Sequence, residues 1–301
     1  HPEAGFARGF QQYDVQGLEA RFEGGTSRYR SVDATVEAMR HALEQAAEPF
    51  FLWLHYFGTH WVPPQLLELP DEYRRAFNEN AQYYDGKISF ADQAFLKALL
   101  DALQRRSLSD RTLLVLWSDH GENLEHVVPH GGHALALEEE SIRTLLMLRL
   151  PGDGMRGTRT DMVSSTGIFP AVCQVCDVDC PETAGEESLL AERANRAEGT
   201  AYFESLCQGF LGLRVGEWKL VLTNAPPELR RLEQGGGERI GLRGKLRWRR
   251  ELVLDTLRTV LSRTSRTGHA GARWVGGQPL WWTAREGAED VVADLLECGT
   301  E

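Results

Sequence analysis

Asp119-His120-Gly121 is a short string whose residue types suit metal chemistry. A carboxylate beside an imidazole offers a divalent cation one oxygen and one nitrogen donor. The glycine lets the backbone turn sharply and approach a bound group. More histidines follow at His126 and in His130-Gly131-Gly132-His133, where two glycines suit a loop pressed against a ligand. His60 is a further candidate, in a loop that follows an apolar run. Asp-His-Gly alone arises by chance, and a lone loop histidine is usually just solvated. Placement at the ends of buried strands is what gives these residues weight.

The elements that must position them read as an alternation. Residues 31–48 predict an amphipathic helix, with Val32, Val36, Met39, Leu43 and Ala47 at three- and four-residue spacing and Pro49 as its stop. Residues 50–54 are an apolar run of strand length, of the kind buried on both faces of a parallel sheet. Loop chemistry from Gly58 to Pro63-Pro64 carries His60. A second long helix is expected over residues 80–106, with Ile88, Ala91, Phe95, Leu99 and Leu103 on one side. Residues 112–117 give a second buried strand that ends at Ser118-Asp119-His120, and residues 145–150 a third, closed by Pro151-Gly152. Residues 166–178 are helical by pattern.

This grammar predicts an α/β fold, a mostly parallel sheet flanked by helices on both faces. In such sheets ligands collect beyond the carboxyl ends of the strands, where three loops could bring His60, Asp119, His120 and His133 together. From Thr200 the texture changes to short strands separated by glycine, a small antiparallel sheet with a hairpin turn at Gly216-Glu217. The expected organisation is an α/β domain over residues 1–195, the antiparallel subdomain over 196–225, and a basic tail over 226–301 packed on it.

Composition excludes several classes. The chain has 301 residues and a formal net charge of −11, which argues against a nucleic-acid binder. No apolar run is long enough to span a membrane. Residues 230–273 hold twelve basic residues against four acidic ones, which reads first as a solvated surface rather than an anion site. Cysteines number five, an odd count that argues against a complete disulfide framework. Cys173 and Cys176 lie in an apolar helical run and read as packing residues rather than as a metal pair.

Longer strings carry a resemblance to a known family. LLVLWSDHGE (residues 113–122) resembles the sulfatase pattern of an apolar strand running into Ser-Asp-His-Gly-Glu, and residues 83–112 resemble the helix before it. FLWLHYFGTHWVPP (51–64), GFARGFQQYD (5–14), the stretch from Gly132-His133-Ala134 to Ile142-Arg143-Thr144, and SSTGIFPAVCQVCDV (164–178) resemble sulfatase segments in the same order. The resemblance covers the first three quarters of the chain and implies an alkaline phosphatase-like fold. It makes Asp119 and His120 metal ligands. It makes His133, or His130 in the alternative register, the residue that contacts the sulfate and assists the leaving group. His60 becomes the residue that hydrogen-bonds a sulfate or ester oxygen. The cation implied is Ca²⁺, and the substrate a small-molecule or glycan sulfate ester.

Some positions depart from the family pattern. Gly58 stands where relatives often have Asp, and Ala134 replaces the usual Gly after the functional histidine. Leu145, Gly167 and Ala171 depart at packing positions. The nucleophile string, Cys or Ser followed by x-Pro-x-Arg and converted to formylglycine, does not occur in these residues. The family's N-terminal Asp pair has no counterpart either, so an upstream part carrying both is expected. Two other readings stand beside a sulfatase. One is a phosphatase, phosphodiesterase or phosphonate hydrolase of the same superfamily, with Mn²⁺ or Zn²⁺. The other is a non-catalytic metal- or anion-binding relative.

Overall fold

Ser31 opens the first helix: its Oγ accepts a hydrogen bond from the Ala34 N–H at 3.2 Å, supplying a partner for a donor the helix itself leaves unpaired. In the computed structural model, α1 (Val32–Gln45) buries Val32, Val36, Met39 and Leu43 on one face, as their spacing predicts. The structure describes residues 5–15, 20–22, 25–27, 30–60, 70–76, 80–123, 137–152, 157–181, 188–191, 200–205, 210–222, 228–232, 238–240, 272–275 and 278–281. These fall into two compact units. One comprises residues 1–112 with 150–154, the other residues 113–149 with 155–301.

In the first unit, β1 (Ala20–Phe22) and β2 (Gly25–Ser27) form an antiparallel pair ahead of α1. After α2 (Asp71–Ala76) the predicted long helix appears as α3 (Asn80–Phe90), a π-helical stretch over Ala91–Leu96, and α4 (Lys97–Arg105). Phe95, Ala98, Leu99, Ala102 and Leu103 are buried, and this face packs against α1. Arg106 donates to the carbonyls of Leu43 and Ala46, closing the C-terminal end of α1 with a cation where the helix dipole is negative.

The run at residues 50–54 departs from its reading as a buried parallel strand. It has no ladder among the described residues, and Phe51 and Trp53 are 64% and 55% exposed. A strand buried on both faces would hide these rings. Here alternate side chains face outward, and the Phe51 ring lies 5.8 Å from that of Phe10.

The second unit contains the other two predicted strands, β3 (Leu114–Trp117) and β4 (Leu146–Arg149), with α5 (Glu139–Ile142) between them. They pair antiparallel, Leu114 opposite Arg149 and Trp117 opposite Leu146. A parallel return needs a crossover of a dozen or more residues, usually helical, and the helix described in this connection is a single turn. No parallel pair occurs among the described strands. Beyond lies α6 (Ile168–Cys176), ended by Asp177 in the left-handed conformation, with Cys173 buried and Cys176 exposed.

The antiparallel sheet expected over residues 196–225 is part of a five-stranded meander that runs on to Ile240, into the stretch read as a basic tail. It runs β5 (Thr200–Ser205), β6 (Phe210–Val215), β7 (Trp218–Leu222), β8 (Glu228–Leu232) and β9 (Glu238–Ile240). The β6–β7 turn falls on Gly216-Glu217, as read from sequence, with Gly216 at φ +57°. Central strand β7 is covered on both faces, since Trp218, Lys219, Leu220 and Val221 are all buried. A separate antiparallel pair, β10 (Ala272–Val275) with β11 (Gln278–Trp281), follows.

Truncation of Leu43, fully buried in the α1 face, should cost roughly 2–5 kcal/mol as Leu43→Ala. Removal of the exposed Lys97–Asp101 pair, 2.6 Å apart, should leave stability almost unchanged, because solvent screens it. Urea denaturation followed by circular dichroism checks both, and equal losses would contradict the placement of the core.

Candidate metal and substrate site

Strand β3 delivers Asp119 and His120. The pairing continues one step past the strand: Ser118 N–H donates to the Leu145 carbonyl at 3.1 Å, and Leu145 N–H donates to Ser118 Oγ at 2.9 Å. The chain therefore leaves the ladder at a fixed point, with Asp119 exposed and His120 half-buried.

The Gly121 carbonyl orients the imidazole. His120 Nδ1 lies 2.7 Å from the Gly121 carbonyl oxygen. A carbonyl can only accept, so Nδ1 carries the proton. In the neutral ring this makes Nε2 the nitrogen with the lone pair, the tautomer in which metal-binding histidines donate their other N–H to a backbone carbonyl. Nε2 lies 3.7 Å from Asp119 Oδ1, too far for a hydrogen bond. Two donors bound to one cation at roughly 2.0–2.4 Å each can stand about this far apart. Asp119 Oδ1 also accepts the His120 N–H at 3.0 Å, which orients the carboxylate. The donor set fits a divalent cation held by Asp119 and His120. Among the described residues no group of three or more His, Cys, Asp or Glu side chains converges, so these two make up the described donor set.

Gly121 is where the site meets its support. Its N–H donates to the Ser141 carbonyl at 2.8 Å. A Cβ here would overlap the Glu140 carbonyl oxygen and stand 2.9 Å from that of Arg143. The loop that carries Asp119 and His120 thus lies directly on the backbone of α5. In the sequence Gly121 suits a sharp turn and close approach to a ligand; the close approach found here is to the backbone carbonyls of Glu140 and Arg143. Asn123, three residues past His120, is 1% exposed, and neither side-chain atom has a hydrogen-bond partner among the described residues; the buried Ser141 hydroxyl is in the same state. No signal in the sequence marked either as buried.

His60 belongs to the first unit, where contacts from Phe57 and Lys87 hold it. Its N–H donates to the Phe57 carbonyl at 3.1 Å, and its ring stacks on Phe57 with centroids 4.3 Å apart. Its carbonyl accepts from Lys87 Nζ at 2.8 Å. Lys87 is a buried lysine on α3 that sequence reasoning missed, because its position reads as an ordinary helix face. Gly58 also acquires a reason: a Cβ there would collide with the Tyr56 side chain, itself stacked on Phe95 at 4.7 Å. His126, His130 and His133 lie outside the described residues.

With this geometry in view, the comparisons settle the class. The sulfatase family model matches residues 5–178, and the chain belongs to the sulfatase family. It is similar to an uncharacterized sulfatase of Escherichia coli, YdeN, at 23% identity over 142 residues. That match covers 45% of this chain and 25% of the relative, so only about a quarter of the relative's length is represented. Among solved structures it is similar to Ps i-CgsB in complex with k-i-k-neocarrahexaose, with TM-score 0.57 and 19% identity over 91% of this chain and 62% of the other. It is also similar to the putative sulfatase yidJ from Bacteroides fragilis, with TM-score 0.58 and 18% identity over 84% and 64% of the two chains. These likenesses establish the fold of the sulfatases.

Gly121→Ala should displace the loop from α5, since the obstacle is backbone that cannot rotate away. We expect a stability loss of about 1–3 kcal/mol by chemical denaturation. The variant should also bind Mn²⁺ more weakly by calorimetry. Wild-type stability would show that the loop does not rest on α5.

Proposed function

We propose that this chain contributes the Asp119–His120 half of a metal site to a sulfuric ester hydrolase. The observation that carries the reading is the His120 imidazole, fixed by the Gly121 carbonyl with Nε2 turned toward Asp119 at the end of an apolar strand. Asp119 and His120 would hold a divalent cation, Ca²⁺ by family resemblance. When bound, such an ion supplies positive charge against the oxygens of a sulfate group. Asp119 then contributes negative charge and His120 a neutral nitrogen donor whose direction is preset.

In the same reading His60 hydrogen-bonds a sulfate or ester oxygen, and the contacts from Phe57 and Lys87 restrict its loop. His133, or His130, protonates the departing alcohol as a general acid. The nucleophile would be a hydrated formylglycine, formed from the Cys or Ser of a Cys/Ser-x-Pro-x-Arg string supplied from outside these residues. The substrate class is a sulfate ester of a small molecule or glycan; the oligosaccharide in the Ps i-CgsB structure favours a glycan. In the intact domain we expect a mostly parallel sheet, with the antiparallel meander as a subdomain.

One observation favours a second reading. An imidazole in the donor set suits Mn²⁺ or Zn²⁺ better than Ca²⁺, which takes oxygen ligands. Tetrahedral phosphate shares the shape of sulfate. A phosphate mono- or diester, or a phosphonate ester, is therefore the alternative substrate.

The test uses the full-length protein with aryl sulfate and aryl phosphate in parallel. Sulfate turnover at least about a hundredfold above phosphate supports the proposal, and the reverse ratio establishes the second reading. Asp119→Ala should abolish metal-dependent turnover, and wild-type rates would refute the ligand assignment. The 301-residue chain alone should turn over neither ester with added Ca²⁺; measurable hydrolysis would place a nucleophile within it.

A further inference from the structure

Three basic side chains line up across the meander. Arg214 on β6 stands opposite Lys219 on β7, and Lys219 opposite Arg230 on β8. Residues directly opposite one another share a face, and like charges so placed repel. The central one, Lys219, is 0% exposed. Such a row is tolerable only if counter-charge is brought to it, and α5 brings it. Arg214 Nη1 lies 2.7 Å from Glu139 Oε2, and Lys219 Nζ 3.4 Å from Glu139 Oε1. Arg230 Nη1 lies 2.7 Å from both oxygens of Glu138, which precedes the first residue of α5.

An aromatic ring completes the pocket around Lys219. Its Nζ sits 5.7 Å from the centroid of Phe203. Phe203 stands opposite Gly212, where any Cβ would strike the ring. Gly212 leaves room for the ring, the ring covers the ammonium, and the ammonium meets Glu139. The carbonyls of the next two residues, Glu140 and Ser141, are the ones on which Gly121 rests.

We propose that Glu139, together with Lys219 and Arg214, positions the Asp119–His120 pair. The meander holds α5 in place by charge, and α5 sets the height of Gly121. The Gly121 carbonyl in turn receives the His120 Nδ1–H. None of the three need touch substrate or cation; they are positioning residues that act through Gly121. This inference rests on the metal reading of Asp119 and His120, and its test keeps the two apart.

The experiment compares full-length wild type with Glu139→Gln, Lys219→Met and Lys219→Arg. Mn²⁺ affinity is read by calorimetry. The His120 ring resonances are read by nitrogen-15 NMR without metal. Loss of an outer-shell partner typically weakens metal binding roughly 10–100-fold, and that range is expected for Lys219→Met and Glu139→Gln. Lys219→Arg keeps the charge and should stay within about threefold of wild type on the same scale. The His120 signal should shift in Lys219→Met and return in Lys219→Arg. Wild-type affinity and wild-type His120 shifts in folded Lys219→Met and Glu139→Gln would overturn the proposal. Should Lys219→Met fail to fold, Glu139→Gln, which keeps shape and loses only charge, decides on the same two readouts. If wild type binds neither Ca²⁺ nor Mn²⁺, the metal reading fails, while the His120 shifts still decide whether the clamp positions the ring.

Discussion

A lysine with no exposed surface, Lys219, must have a negative partner close by, and that requirement organises the second unit. Placing an ammonium out of water is costly unless a carboxylate and further contacts replace its hydration. Glu139 and the Phe203 face supply them. Arg214 and Arg230 flank it and cannot be neutralised from the meander's own side chains in the row, so the carboxylates come from Glu138 and Glu139. Removing one partner of such a buried pair costs about 3–5 kcal/mol, because the other charge is left uncompensated. A one-turn helix has little stability of its own. The position of α5 is thus set by this charge contact more than by its sequence. Everything that leans on α5, including Gly121 and through it His120, inherits that position.

Much of this was legible in the sequence, for identifiable reasons. The α1 face followed from its 3.6-residue spacing, and the meander's turn from Gly216-Glu217. The strand that ends just before Asp119 and His120 followed from its apolar run. The family followed from ordered strings rather than any single residue. The pairing of β3 with β4 did not follow, because strand direction depends on the connection and apolar content is blind to it. Residues 50–54 misled for a related reason. A run of five apolar residues reads as buried on both faces, yet Phe51 and Trp53 face outward.

The charge clamp was not legible at all. In Trp218-Lys-Leu-Val-Leu222 the lysine occupies an ordinary position of an alternating strand, where solvent is the usual expectation. Only the register, which sets Arg214, Lys219 and Arg230 side by side, shows that this face is buried by carboxylates. Lys87 behind His60 was hidden in the same way. Buried cations are rare enough that pattern reading assigns them to the surface. What they contact depends on residues distant in the chain, about 80 positions for Lys219 and Glu139. The candidate site shows the opposite case: Asp119 and His120 are neighbours in the chain, so their residue types are readable from one short string.

Whether Asp119 and His120 share a cation is decided by a crystal structure of the full-length protein grown with Mn²⁺, with anomalous scattering recorded for manganese. One strong anomalous peak is expected at roughly 2.0–2.4 Å from an Asp119 carboxylate oxygen and from His120 Nε2, with Nδ1 still bonded to the Gly121 carbonyl. A peak bound elsewhere, with His120 turned from Asp119, would contradict it.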